Sequence, residues 1–199
     1  MPIFDIGGSS CAFVHIPKTG GTSVEAWLAG HGKMSLYCNV VPNFMKCTPQ
    51  HLTMDNLALV SPARPDKAFC IVRDPYARAE SEYFFRNART EAALRPDFSV
   101  WTMQQLDRYA QNRFHFDNHY LPQAHFVNAQ VRRFRFEDGF ESIFRDVADY
   151  LGVPRPTEVG HLNGTRAGTP AWSNELLDRF NTVYACDFEA FGYERRPMS

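Results

Sequence analysis

CAFVHIPKTGGTSVE, residues 11–25, joins three local signals in one run. An apolar stretch of strand character comes first, then a tight turn holding Lys18, Gly20 and Gly21, then a helix opening at Thr22 and Ser23. A strand end, a glycine turn and a helix N-terminus together make an anion site. Glycine lets backbone N–H groups converge without interference from a Cβ, and the helix end adds partial positive charge. Lys18 supplies a full charge, and the Thr22 and Ser23 hydroxyls are further donors.

Outward from this run, Thr22–Ala29 continues as a helix that Gly30 and Gly32 end, and Leu36–Val41 is expected as a strand. Thr53 is placed to cap a short helix reaching Val60, with Ser61-Pro62 as its stop. Lys67–Val72, KAFCIV, has the length and apolar continuity of a buried parallel strand. It runs into Arg73-Asp74-Pro75, where Asp74 caps and Pro75 opens a helix reaching about Asn87. Ser99–Ala110 is expected as a helix, the aromatic stretch 113–127 as irregular, and Gln130–Phe136 as a strand. Gly139–Leu151 reads as an amphipathic helix, 152–172 as a long loop, and Ser173–Cys186 as a last helix. Strands alternating with helices predict an α/β fold, a single domain over 1–199 with a central parallel sheet flanked by helices. Ligands of such sheets bind beyond the carboxyl ends of the strands, which puts Lys18 and Arg73 on one edge.

The hydrophobic fraction of 44% and charged fraction of 22% are those of an ordinary globular domain. A formal net charge of −1 gives no overall attraction to nucleic acid or to a membrane surface. No run approaches a membrane span, and the opening MPIFDIGGSS has neither the basic start nor the apolar core of a secretory signal. Cys11, Cys38, Cys47, Cys70 and Cys186 include no CxxC pair, which favours reduced thiols and a cytoplasmic setting. Only four of the 21 basic residues are Lys, so the basic surface is mostly Arg, whose rigid fork suits carboxylate, sulfate or phosphate.

The turn is not the Walker A pattern, because Lys18 precedes Gly20-Gly21 and the hydroxyls come last. No strand-end carboxylate is free for Mg²⁺, since Asp74 is accounted for as a cap. The site therefore suits an anion that needs no metal. Three other readings stay open: a kinase or nucleotide hydrolase using ATP–Mg²⁺, a nucleotide-binding module without turnover, and a polysaccharide binder using Arg132, Arg133 and Arg135. For those three arginines, a solvated strand face flanked by Glu137 and Asp138 is the preferred reading.

HIPKTGGTS resembles the 5′-phosphosulfate loop of sulfotransferases that use 3′-phosphoadenosine 5′-phosphosulfate (PAPS), a family with a P-loop-like fold. His-Ile-Pro before the lysine resembles the carbohydrate branch, which includes enzymes of the heparan-sulfate 2-O type. That family grips the 3′-phosphate with an Arg at a strand end and a Ser eight residues on, and Arg73 and Ser81 stand at that spacing in IVRDPYARAESEY. PQHL at 49–52, NHYLPQAHF at 118–126 and HLNGT at 161–165 resemble further family segments: the catalytic His, the acceptor cleft and the loop closing over the donor.

The resemblance implies a soluble PAPS-dependent sulfotransferase with a saccharide or small-metabolite acceptor, adenosine 3′,5′-bisphosphate as product, and no metal. It implies His51 as general base, Lys18 as the charge neutraliser, and Lys18, Thr19, Gly20, Gly21, Thr22, Ser23, Arg73 and Ser81 as the donor cradle. Thr165 and Arg166 would close over its 3′-phosphate side. His15 is read as structural, and His115, His119 and His125 lack the spacing of a metal site. Neither the acceptor, nor O- against N-sulfation, nor the oligomeric state is written in the sequence.

Overall fold

The structure is a computed structural model that describes residues 1–61, 64–156 and 168–198. Five strands, β1 (Ile3–Ile6), β2 (Ser9–Val14), β3 (Lys33–Ser35), β4 (Lys67–Val72) and β5 (Arg132–Arg135), form one sheet in the order β3-β1-β2-β4-β5. The sheet is mixed. β2, β4 and β5 run parallel, with Phe13 opposite Phe69 and Ile71 opposite Phe134, whereas β1 pairs antiparallel with both β2 and β3. The expected parallel sheet therefore describes only the half formed by β2, β4 and β5.

Two local features account for the antiparallel half. Gly7 and Gly8 have φ of 58° and 82°, the paired positive values that a two-residue hairpin turn requires, so β1 folds straight back onto β2. The strand expected over Leu36–Val41 is instead β3 at Lys33–Ser35. Leu36 has φ 53°, a left-handed conformation that ends the strand where the expected one began.

Alternation along the central strands buries both faces. Ala12, Val14, Ala68, Cys70 and Val72 pack into a cluster with Tyr76, Tyr83, Leu106 and Phe180. These come from α3 (Pro75–Arg86), α4 (Phe98–Gln111) and α6 (Asn174–Val183). Cys11, Phe13, Phe69, Ile71 and Phe134 face the other way. There they meet Val24 and Leu28 of α1 (Gly21–Leu28) and Phe140, Ile143 and Val147 of α5 (Phe140–Leu151). A strand apolar on every position after its first, such as KAFCIV, is what this three-layer arrangement demands.

Caps expected from sequence are in place. Thr53 accepts from the Asn56 amide at the start of α2 (Met54–Val60), and Asp74 accepts from Ala77 at the start of α3. The single last helix expected to reach Cys186 is divided at Tyr184 into α6 and α7 (Ala185–Phe191), with α7 taking in residues expected to lie beyond it. All five cysteines are free thiols. Among the described residues no helix is long and apolar enough to cross a membrane.

Candidate active site

The carboxyl ends of β2 and β4 open onto one edge, and the turn after β2 has the shape its glycines allow. Gly20 sits at φ 85°, and a Cβ there would meet the Phe140 ring at 2.3 Å; one on Gly21 would meet His15 Nε2 at 2.4 Å. Both glycines are therefore sterically required. Lys18 is itself left-handed at φ 70°, a strained position for a side chain and of the sort that clusters at binding sites. Thr19 is fully buried, and its hydroxyl donates to the Ile16 carbonyl at 2.9 Å, so its side chain serves the turn. Thr22 is exposed on the first turn of α1, and Ser23 is buried beside it.

Lys18 and Arg73 converge. Arg73 Nη1 donates to the Lys18 carbonyl at 3.1 Å, so a strand-end residue of β4 braces the turn after β2. The guanidinium lies over the Phe136 ring at 4.2 Å, and its buried Nε has no hydrogen-bond partner among the described residues. Lys18 Nζ rests over the Phe85 ring at 3.8 Å and makes no ion pair with any described residue. Burial pulls the Lys18 ammonium down to about 8 and lowers Arg73 as well. Two partly desolvated cations, one with an orphaned donor, are the groups a polyanionic donor would satisfy. Ser81 is half-buried on α3, and its hydroxyl makes no hydrogen bond among the described residues. Thr165, Arg166 and the rest of the HLNGT segment lie outside the described residues.

His51 lies on a short 3₁₀ turn, Pro49–His51, between the sheet edge and the aromatic stretch. Its Nδ1 meets Asp117 Oδ2 at 2.7 Å, and the same carboxylate accepts from the Thr48 amide at 2.6 Å and hydroxyl at 2.8 Å. An ionised carboxylate only accepts, so Nδ1 carries the imidazole proton and Nε2 keeps its lone pair. Burial lowers the His51 pKa. Burial alone would raise the Asp117 carboxyl, but hydrogen bonds from His51 and Thr48 overcome it and hold it at about 2. Asp117 belongs to a left-handed run, Phe116, Asp117 and Asn118 at φ 49°, 58° and 65°. Asn118 Nδ2 also donates to the His51 carbonyl at 3.0 Å, so this strained loop clamps the histidine at both ends.

Several residues here escaped the sequence reading. Asp117 and Asn118 lie in the stretch expected to be irregular, and nothing local marks them as partners of His51. Arg78 is buried on α3 and donates to the carbonyls of Pro17, His119 and Leu121 at 2.9, 2.7 and 3.0 Å, stitching the turn to the 119–121 segment. Gln123 clasps the Arg73 backbone through both its amide atoms. His15 Nδ1 meets Glu25 at 2.6 Å, and its ring stands edge-on to His51 at 5.1 Å. His115, His119 and His125 do not converge: they meet Gln105, Glu82 and Cys186 respectively. Arg132, Arg133 and Arg135 lie over the rings of Tyr150, Phe191 and Tyr193. Among the described residues no three His, Cys, Asp or Glu side chains gather as a metal-binding group.

The strand–turn–helix unit with Lys18 and Arg73, and the carboxylate-backed His51, are the elements that the site offers for binding and chemistry. Residues 7–194 match the profile of the Sulfotransferase family, nearly the whole chain, and the protein belongs to that family. No curated protein and no solved structure matches it.

Proposed function

We propose that the protein transfers the sulfuryl group of PAPS to a hydroxyl of a saccharide or small-metabolite acceptor, in a cytoplasmic setting. The observation that carries this reading is the pairing of Lys18 and Arg73 across two parallel strands, both partly desolvated and neither in an ion pair with a carboxylate among the described residues. The turn amides and the Thr22 and Ser23 hydroxyls cradle the 5′-phosphosulfate, while Arg73 and Ser81 take the 3′-phosphate.

His51 Nε2 accepts the acceptor proton as the hydroxyl oxygen forms its bond to sulfur. The bond from sulfur to the 5′-phosphate oxygen breaks, and its electron pair leaves on adenosine 3′,5′-bisphosphate. Lys18 offsets the charge that grows on that leaving oxygen, and Asp117 stabilises the imidazolium that forms. These residues carry the transfer by position and electrostatics, and no step calls on a metal.

Incubation with sulfur-labelled PAPS and a panel of neutral and acidic saccharides tests the reading. Label should pass to an acceptor without added Mg²⁺ and fail to pass with Lys18→Ala. Transfer of phosphate from ATP–Mg²⁺, with none of sulfate, would overturn it.

A further inference from the structure

Beside His51 stands a second imidazole of the same construction. His119 Nδ1 meets Glu82 Oε2 at 2.7 Å, and Glu82 is buried and also accepts from Arg86 Nε at 2.7 Å. The Nδ1 proton is thereby fixed, and His119 Nε2 is left with its lone pair, as in His51. The two rings stand edge to face, 5.1 Å apart at 80°. Neither Nε2 makes a hydrogen bond among the described residues. Phe85 stacks on His119 at 6.5 Å and lies under Lys18 Nζ at 3.8 Å, so the pair of histidines borders the turn that holds the lysine.

Two Nε2 acceptors on adjacent rings, both side chains reaching solvent and neither holding a donor among the described residues, can be met together by a ligand that brings two donors. One hydroxyl carries a single proton and satisfies only one of them. We propose that His119 is the second reader of the acceptor: the reacting hydroxyl donates to His51 Nε2, and an O–H or N–H on the adjacent carbon donates to His119 Nε2. The acceptor class is then a vicinal diol or its amide equivalent rather than an isolated alcohol. His119 takes no proton in the transfer and sets specificity. The inference rests on the sulfotransfer reading for which hydroxyl reacts, while the adjacency of the two carboxylate-backed rings stands on geometry alone.

Nitrogen-labelled histidine spectra of the full chain, saturated with adenosine 3′,5′-bisphosphate, test it. The probes are vicinal cyclohexanediol and cyclohexanol. Both Nε2 resonances should start at the unprotonated position; the diol should move both, and cyclohexanol should move that of His51 alone. The diol should bind about tenfold more tightly, the worth of one added hydrogen bond. His119→Phe keeps a ring on Phe85 and leaves Glu82 with Arg86, and should abolish the diol advantage. Glu82→Gln keeps a carbonyl for the Nδ1 proton and should retain it. A protonated His119 Nε2 in the free protein, equal binding of the two probes, or any other pattern of shifts, including none, overturns the proposal. If the bisphosphate does not bind, the sulfotransfer reading fails separately, and the same titration without nucleotide still decides the pairing.

Discussion

The two halves of the site are assembled in opposite ways. The proposed donor half is one unbroken run, Lys18 to Ser23, plus a residue at the end of the next parallel strand; its geometry follows from local chain chemistry. The proposed acceptor half is gathered from afar: His51 meets Asp117 across 66 positions, and Glu82 meets His119 across 37. A glycine turn carries its own instructions. A histidine and its carboxylate meet only when the fold brings them together, and their spacing in sequence says nothing of it.

If the halves also divide the labour, they can be broken one at a time. The largest effect is expected from His51→Ala, which should lower kcat by about 10²–10⁴. Adenosine 3′,5′-bisphosphate should bind to this variant as it does to the wild type, and a loss of that affinity would show the two halves to be one. Asp117→Asn keeps the shape but not the charge that fixes the His51 tautomer. It should cost about 10–100-fold in kcat, again with nucleotide binding intact. Gly20→Ala breaks the donor half instead. Its Cβ would lie 2.3 Å from Phe140 at φ 85°, so thermal unfolding should report a loss of about 1–3 kcal/mol. Bisphosphate affinity should fall with it.

The smallest effect is in pH. In the proposed mechanism His51 is the neutral base, and burial lowers its pKa below the ordinary 6.5, so the acid limb of kcat/KM should lie below that value. Lys18 must stay charged, and burial brings it to about 8, so kcat/KM should fall again above that pH. Bound donor phosphate raises the pKa of the adjacent ammonium, so the alkaline limb of kcat should lie at higher pH than that of kcat/KM. Coincident alkaline limbs would remove Lys18 from contact with the donor.

Much of the fold was legible where the signal was local. KAFCIV announced a buried strand, and Thr53 and Asp74 announced caps that the structure contains. The Gly7-Gly8 hairpin was equally local but passed unread, because the opening residues were weighed only as a leader; the antiparallel half of the sheet was lost with it. Leu36–Val41 misled because its apolar residues suggest a strand, while the left-handed Leu36 ends β3 just before them. Arg78, Asp117 and Glu82 could not have been found this way. Their partners are backbone carbonyls and histidines on other elements, and only the packed sheet edge brings them into reach.

On the proposed function, Arg73 and the turn that holds Lys18 form a metal-independent site for a doubly phosphorylated nucleotide. Calorimetric titration with adenosine 3′,5′-bisphosphate and, separately, with ATP–Mg²⁺ tests it most directly, on the wild type and on Arg73→Ala. Bisphosphate should bind without metal, about 10–100-fold more weakly in Arg73→Ala through the loss of charge-assisted hydrogen bonds. Binding of ATP–Mg²⁺ alone, or bisphosphate binding indifferent to Arg73, would contradict it.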